Sequence, residues 1–518
     1  MIKIFDTTLR DGTQSPDVNL SMPDKLEIVK TLDDFGIDYL ELGWPGSNPK
    51  DMETFLEASK FKLKNSQIVA FGATRRMGIN AQDDKNLQAI LESKADVACI
   101  FGKTWIEHVE KQLKSNAKDN LTAIEDSIKF LKKNKLKVFY DLEHFFDGFK
   151  DNKKYALDCI KTAADAGADC LIMCDTNGGS LPEEIRGIIK EVKEFMDIEK
   201  IKAEFGMHAH NDSGFAVANT LEAVNLGATH VQGTINGFGE RAGNADLCQL
   251  IPNLALKKKL KLNVKLKDLQ KVSDLVYILT NVKPNNHQPF VGRNAFRHKG
   301  GIHVDAIMKG ASYEHMDPAL IGNKREIVLS DLSGKANIIE VLKKFEIRAD
   351  KNDPRVLQML KEVEKLEKSG YDIGNLEVEQ YLLAQKFFAV PREFFTIDTW
   401  KVMSEQRNGE FSESVITGKV NGKDRQVVAA IDGGPVDAMY KSLQRMIATH
   451  YKDIKTIKLV NYKVMIAEDK GAESSVRVYI KFQNESEEWG TVGVSPNILE
   501  ASLEAIEKGF RYYLLKNY

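Results

Sequence analysis

Through the first half of the chain, short β-branched and apolar runs alternate with segments whose apolar positions recur every three or four residues. The first spacing predicts strands, the second amphipathic helices. Residues 2–8 open the series. A helix follows over 22–35, with Leu26, Val29, Leu32 and Phe35 on one face, Ser21 as its cap and Pro23 in its first turn. Further strands are predicted at 39–42, 68–72, 97–101, 138–142, 170–174, 203–207 and 230–233. The helices between and after them fall near 51–59, 84–93, 122–133, 153–166, 183–195, 215–226 and 246–256. Gly36, Gly167 and Gly227 stand where helices must stop before the next strand. Eight strand–helix units in about 255 residues predict an α/β fold, a closed (β/α)8 TIM barrel rather than an open sheet.

Beyond residue 258 the pattern changes. Lys257, Lys258, Lys259 and Lys261 form a solvated charge cluster, and 265–390 read as mostly helical subdomains. Strand-like runs near 394–404, 412–420 and 425–431 precede a helix from Pro435. The layout repeats near 455–467, 475–483 and 489–494 before a helix from Pro496. This βββα pattern, used twice, predicts a duplicated α+β domain. The expected domains are 1–257, 258–391 and 392–518.

Composition narrows the function. Over 518 residues, 73 Lys and Arg face 75 Asp and Glu, so no net positive charge points to nucleic acid or an anionic membrane. No apolar run reaches the ~18 residues of a membrane span. Ile2, Ile4 and Phe5 open a strand, not a secretion signal. Cys99, Cys159, Cys170, Cys174 and Cys248 are scattered without a CxxC pair, as reduced core thiols of a cytoplasmic protein would be.

In such a barrel, reacting groups come from the C-terminal strand ends. Strand 7 ends in His208-Ala209-His210, two imidazoles on one face of a strand. Strand 1 ends in Arg10-Asp11, and Asp11 supplies an acidic third ligand. Imidazole with carboxylate suits zinc, manganese or, less naturally, magnesium. Three protein ligands leave a position for substrate. Without that acid, a bare HxH more often packs or hydrogen-bonds. Arg10 holds a carboxylate or oxyanion, or else pairs with a barrel acid. On strand 5, Asp141 and Glu143 share an inward parity and His144 faces outward. Strand 6 ends in Asp175-Thr176, where the Thr hydroxyl can bind a carboxylate and the acid can tie down its loop. Strand 8 runs into Asn236-Gly237-Phe238-Gly239-Glu240-Arg241-Ala242-Gly243-Asn244, which lacks the Lys-Ser/Thr of a phosphate loop. Asn244 is a weak ligand or an orienting residue.

These motifs resemble the DRE-TIM metallolyase superfamily. Within it, residues 236–244, Gly301-Ile302-His303 and Ser312-Tyr313-Glu314 resemble the 2-isopropylmalate, homocitrate and citramalate synthases. Residues 296–306, 330–334 and Thr74-Arg75-Arg76 are most similar to the long citramalate synthase branch. The resemblance implies a Claisen-type condensation of acetyl-CoA with pyruvate, giving (R)-citramalate at the entry to isoleucine synthesis. Alternatives are 2-oxoisovalerate or 2-oxoglutarate as acceptor and, from another class, an acyl-CoA lyase. It further implies metal on Asp11, His208 and His210 with Asn244 close by, Arg10 polarising the ketone or steadying the enolate, and Thr176 on the oxo-acid carboxylate. Glu143 is then the base or its partner. His303 and Tyr313 complete the site, reaching across to a partner subunit in a homodimer, and the C-terminal domain binds an end-product amino acid, here isoleucine. One departure stands out. Asp141 occupies the place where shorter citramalate synthases carry a pocket-closing Tyr, so Asp141 is expected to touch substrate, with Phe71 and Phe101 narrowing the pocket.

Overall fold

The computed structural model describes residues 1–518 apart from 312, 331, 372, 407–409, 432 and 467–473, and without the side chains of 301–303, 308, 406, 410, 430 and 431. The chain divides into two compact units, Met1–Phe296 with Met316–Lys324, and Arg297–His315 with Arg325–Tyr518.

In the first unit eight parallel strands close a barrel in chain order. They are β1 (Lys3–Asp6), β2 (Tyr39–Gly43), β3 (Gln67–Ala73), β4 (Val97–Lys103), β5 (Lys137–Glu143), β6 (Cys170–Asp175), β7 (Glu204–Ala209) and β8 (His230–Gly233). β1 closes the ring, with Phe5 opposite Tyr39 of β2 and Lys3 opposite His230 of β8. This is the predicted (β/α)8 architecture.

Side-chain alternation sorts each strand into two layers. Ile4, Leu40, Ile68, Ala98 and Leu171 face outward into the core under the helices. Phe5, Tyr39, Val97, Cys99, Phe139 and Ile172 face inward. At the N-terminal end of the barrel, Tyr39 meets Phe139 edge-on with ring centres 5.0 Å apart, His230 stacks in beside them, and Lys137 Nζ donates to the Tyr39 hydroxyl at 2.6 Å. That floor is plugged, so polar chemistry is confined to the opposite, C-terminal mouth.

The helix Met22–Phe35 lies where the periodicity places it. Ser21 Oγ accepts from the Asp24 N–H while Asp24 accepts from the Ser21 N–H, a reciprocal cap of the kind that contributes about 1 kcal/mol. Gly36 ends it at φ 103°, and a Cβ there would strike the Asn263 carbonyl. Two short helices were not expected, Ile106–Lys111 after β4 and Phe145–Asp151 after β5. Segments of six and seven residues are too short to display a helical period; the second is held by burial of Phe145, Phe146 and Phe149. The helix expected from 122 begins earlier, at Ala117, because Asn116 caps it. The segment expected as one helix over 246–256 is Leu247–Pro252 followed by a π turn, Asn253–Lys257.

The helix Leu269–Thr280 buries Leu269, Val272 and Val276 in the core of the first unit. The second unit contains the helices Gly301–Met308, Lys335–Lys344, Pro354–Lys368 and Glu377–Phe388, and a parallel pair, β9 (Arg297–His298) with β10 (Glu326–Ile327). Two antiparallel sheets follow. β11 (Phe395–Gln406), β12 (Glu410–Val420) and β13 (Lys423–Ile431) lead into helix Pro435–Ile447. β14 (Lys458–Ile466), β15 (Val476–Gln483) and β16 (Glu488–Ser495) lead into helix Ile498–Asn517. The βββα pattern is thus present twice. The second helix starts past Pro496, where Asn497 accepts from the Leu499 N–H. Met439, Leu443, Val478, Ile480 and Phe510 share one core. All five cysteines are buried thiols. No helix among the described residues is long and apolar enough to cross a membrane.

Candidate active site

The strand order decides which side chains meet. β1 lies beside β8, and β8 beside β7, so the loop after β1 faces the end of β7 across the mouth. Asp11 Oδ2 becomes the hub. His208 Nε2 lies 3.3 Å from it, His210 Nε2 3.8 Å and Arg10 Nη1 3.3 Å. Asn244 Nδ2 donates to the same oxygen at 2.9 Å from 233 residues away. The ligand atoms of Asp11, His208 and His210 all lie within 4.8 Å of one another, and the three residues are buried.

Three further atoms test whether this cluster fits a cation. Asp11 Oδ1, Asn244 Oδ1 and His210 Nδ1 are buried without a hydrogen-bond partner among the described residues. A buried carboxylate oxygen left bare is costly unless a positive charge satisfies it. The donor set of carboxylate, imidazole and amide oxygen suits a divalent ion. Burial works against a charge on Asp11, yet Arg10 and then His208 hold the carboxyl well below the usual range. Burial and the neighbouring His208 push His210 down to about 3, which keeps it a neutral lone-pair donor.

Arg10 is fixed from three sides. Its Nε donates to Glu41 Oε2 at 2.7 Å, its Nη1 faces Asp11, and its guanidinium lies 3.8 Å over the Phe71 ring. Arg10 thus pairs with a barrel acid, Glu41, and also lines the cavity. Glu41 also accepts from Thr7 Oγ1 at 2.5 Å. Phe71 stacks on Phe101 at 5.3 Å, and Trp44 stands edge-on to both at 5.6 Å. These rings form one wall of a cavity of about 240 Å³. Asp141, Cys174, Thr176 and Glu143 line it with the cation cluster, and Glu240 and Arg241 lie at the rim.

Asp141 and Glu143 both face the cavity, as their parity requires, while His144 packs outside it against His108 at 4.4 Å. Burial pushes the Asp141 carboxyl above the usual range. Burial also raises Glu41, against the pull of Arg10 and with a further push from Asp141. Glu143 pairs with Lys103 at 2.5 Å, its register partner on β4. Thr176 Oγ1 accepts from the His144 N–H at 2.9 Å, which leaves its own proton to donate. Asp175 accepts from Ser180 Oγ at 3.0 Å, so it ties down its loop. Arg241 grips Asp212 through two bonds, at 2.8 and 2.9 Å, and donates to the Thr176 carbonyl at 2.8 Å.

Thus Arg10, Asp11, Asp141, Glu143, Thr176, His208 and His210 are brought to one cavity, with Asn244 bonded beneath it. Tyr313 is an exposed residue of the second unit. The His303 side chain, like Ser312, lies outside the described residues. Sequence reasoning missed Glu41, Gln232, Lys103 and Trp44. The available signals were an acid at the inward position of an otherwise apolar strand 2 and a glutamine at the inward position of strand 8.

The comparisons follow the same layout. The HMGL-like family profile matches residues 1–276, the Homocitrate synthase post-HMGL domain-like profile residues 290–370, and the LeuA allosteric (dimerisation) domain residues 376–514. The first of these makes the fold and site those of an HMGL-like barrel enzyme. An (R)-citramalate synthase of Geobacter sulfurreducens is 44% identical over 100% of this chain and 98% of its own. One of Sulfolobus acidocaldarius is 44% identical over 99% and 97%. A 2-isopropylmalate synthase of Methanocaldococcus jannaschii is more distant, at 31% over 99% and 95%. The chain belongs to the citramalate synthase branch of the HMGL-like family.

Proposed function

We propose that the protein joins the acetyl group of acetyl-CoA to pyruvate, releasing CoA and (R)-citramalate. The observation that carries this reading is identity of 44% to (R)-citramalate synthases along the whole chain, barrel and duplicated domain alike.

The cavity supports a division of labour. Asp11, His208 and His210 hold a divalent ion, zinc, manganese or magnesium, with Asn244 steadying Asp11. When bound, such an ion supplies Lewis acidity toward the keto group of a 2-oxo acid. Arg10 has Nε and Nη1 engaged, which leaves Nη2 to donate to a substrate oxygen. Thr176 donates its hydroxyl proton to the oxo-acid carboxylate. Glu143, paired with Lys103, removes a proton from the acetyl methyl. The electron pair released forms the new C–C bond at the keto carbon, and the carbonyl π pair moves onto oxygen, where it takes a proton. Water then cleaves the thioester and the CoA thiol departs. By the family resemblance, His303 and Tyr313, contributed from a second copy of the chain, complete the site and share the acid–base work with Glu143. Asp141 borders the end of the pocket that takes the substrate's alkyl group.

Residues 1–257 carry catalysis, 258–391 complete the site, and 392–518 regulate it by binding isoleucine. The protein acts as a homodimer in the cytoplasm. Alternate exposed apolar side chains on β14, Val460, Tyr462, Val464 and Ile466, suit contact with a second copy.

The test is CoA-thiol release by the purified protein with acetyl-CoA and a divalent ion, comparing pyruvate, 2-oxobutyrate, 2-oxoisovalerate and 2-oxoglutarate. Preference for pyruvate is expected. Preference for 2-oxoisovalerate would move the chain to the 2-isopropylmalate synthases that it matches at lower identity.

A further inference from the structure

Gln232 has no task in the condensation, yet it joins two groups that do. It sits on β8 with no exposed surface. Its Oε1 lies 2.8 Å from His208 Nδ1, and its Nε2 lies 3.3 Å from Asp141 Oδ1 and 3.4 Å from His230 Nε2. An amide has one accepting end and one donating end. The structure turns the NH2 toward Asp141, whose Oδ1 accepts from it. Turning the amide over would set its oxygen against Asp141 Oδ1 and its NH2 against His208 Nδ1. The other end is then a carbonyl, and the nitrogen it faces must carry a proton. His208 therefore donates from Nδ1, and Nε2 is the nitrogen on the Asp11 side. That is the form in which an imidazole binds a cation, with its other nitrogen anchored by an acceptor behind it.

We infer that Gln232 is a positioning residue, which fixes His208 in the Nδ1–H form and ties it through the same amide to Asp141. The cation cluster and the acid of the substrate pocket then form one hydrogen-bonded unit. The inference rests on reading Asp11, His208 and His210 as a cation site. A glutamate at 232 would keep the acceptor for His208, lose the donor for Asp141 and set two carboxylates face to face. A methionine of similar size would lose both bonds.

The experiment measures Mn2+ affinity of the full chain, wild type against Gln232→Glu and Gln232→Met, by electron paramagnetic resonance of the free ion. Steady-state kinetics with pyruvate run in parallel. Gln232→Met is expected to bind Mn2+ about 10–100-fold more weakly, as loss of a hydrogen-bonded support behind a ligand does. Gln232→Glu is expected to stay within about threefold in Mn2+ binding while its KM for pyruvate rises. Wild-type affinity in Gln232→Met overturns the role toward His208. An unchanged pyruvate KM in Gln232→Glu overturns the tie to Asp141. Nitrogen-15 spectra of histidine-labelled, cation-free protein read the tautomer directly and cover a variant that fails to fold. A proton on Nδ1 of His208 in the wild type supports the inference, and an Nδ1 without a proton overturns it. Should the wild type take up no Mn2+, the cation reading falls, while the spectra still decide the hydrogen bond.

Discussion

At the scale of single residues, two acids lie two positions apart on β5 and do different work because their surroundings differ. Glu143 stands at the mouth, paired with Lys103, and is the proposed base. Glu143→Gln removes that base and keeps the shape. It should lower kcat by about 10²–10⁴-fold with Mn2+ binding unchanged, which thiol-release kinetics and an ion titration would check. Asp141 lies deeper, with burial holding its carboxyl above the usual range. A longer acceptor would press an apolar methylene toward this group, at a discrimination of about 1–3 kcal/mol. Asp141→Ala opens that end, so kcat/KM for 2-oxobutyrate relative to pyruvate should rise about tenfold. An unchanged ratio would place the selectivity in the Trp44, Phe71 and Phe101 wall.

At the scale of elements, the barrel has a closed floor and an open mouth, and one histidine makes the floor sensitive to acid. His230 packs against Phe5, Tyr39 and Phe139, and burial, then the charge of Lys137, pushes its imidazole down from an ordinary 6.5 to about 3. The folded chain keeps this group neutral, while the unfolded chain protonates it below pH 6.5. Its contribution to stability is therefore intact above pH 6.5 and is lost as the pH falls toward 3. By linkage the loss reaches about 2 kcal/mol at pH 5. Melting curves from pH 7 to 4.5 should show it, and His230→Gln, which does not titrate, should flatten the decline. An equal slope in both proteins would assign the acid sensitivity to other groups.

At the scale of the whole molecule, the duplicated βββα domain and the barrel should be linked through ligand binding. Isoleucine is expected to inhibit the full chain and to shift its apparent pyruvate affinity by about 5–150-fold, the usual range of coupling between distant sites. Inhibition by leucine instead would reassign the effector. Val460 and Val464 are 44% and 38% exposed on β14. Charging both, as Val460→Lys with Val464→Lys, should halve the mass seen by sedimentation if that face holds two copies together. A mass equal to the wild type's would move the contact to another face.

Periodicity alone was enough to read eight strand–helix units, both βββα units and the inward parity of His208 with His210 and of Asp141 with Glu143. Those features follow from backbone hydrogen bonding, which repeats locally and leaves its period in the sequence. Capping chemistry is equally local, so the bounds of Met22–Phe35 were legible from Ser21, Pro23 and Gly36. The short helices after β4 and β5 were not, because one or two turns carry too little pattern and are held by burial. Across the barrel, the meeting of Asp11 with His208 and His210 was legible from the strand ends, while other partnerships were not. Glu41 under Arg10, Lys103 beside Glu143 and Gln232 between His208 and Asp141 are ordinary residues in an apolar or mixed run. Their meaning arises when eight strands close in register and bring side chains about 30, 40 and 90 residues apart within hydrogen-bond reach. Local sequence determined which residues face inward; closure of the barrel decided which of them meet.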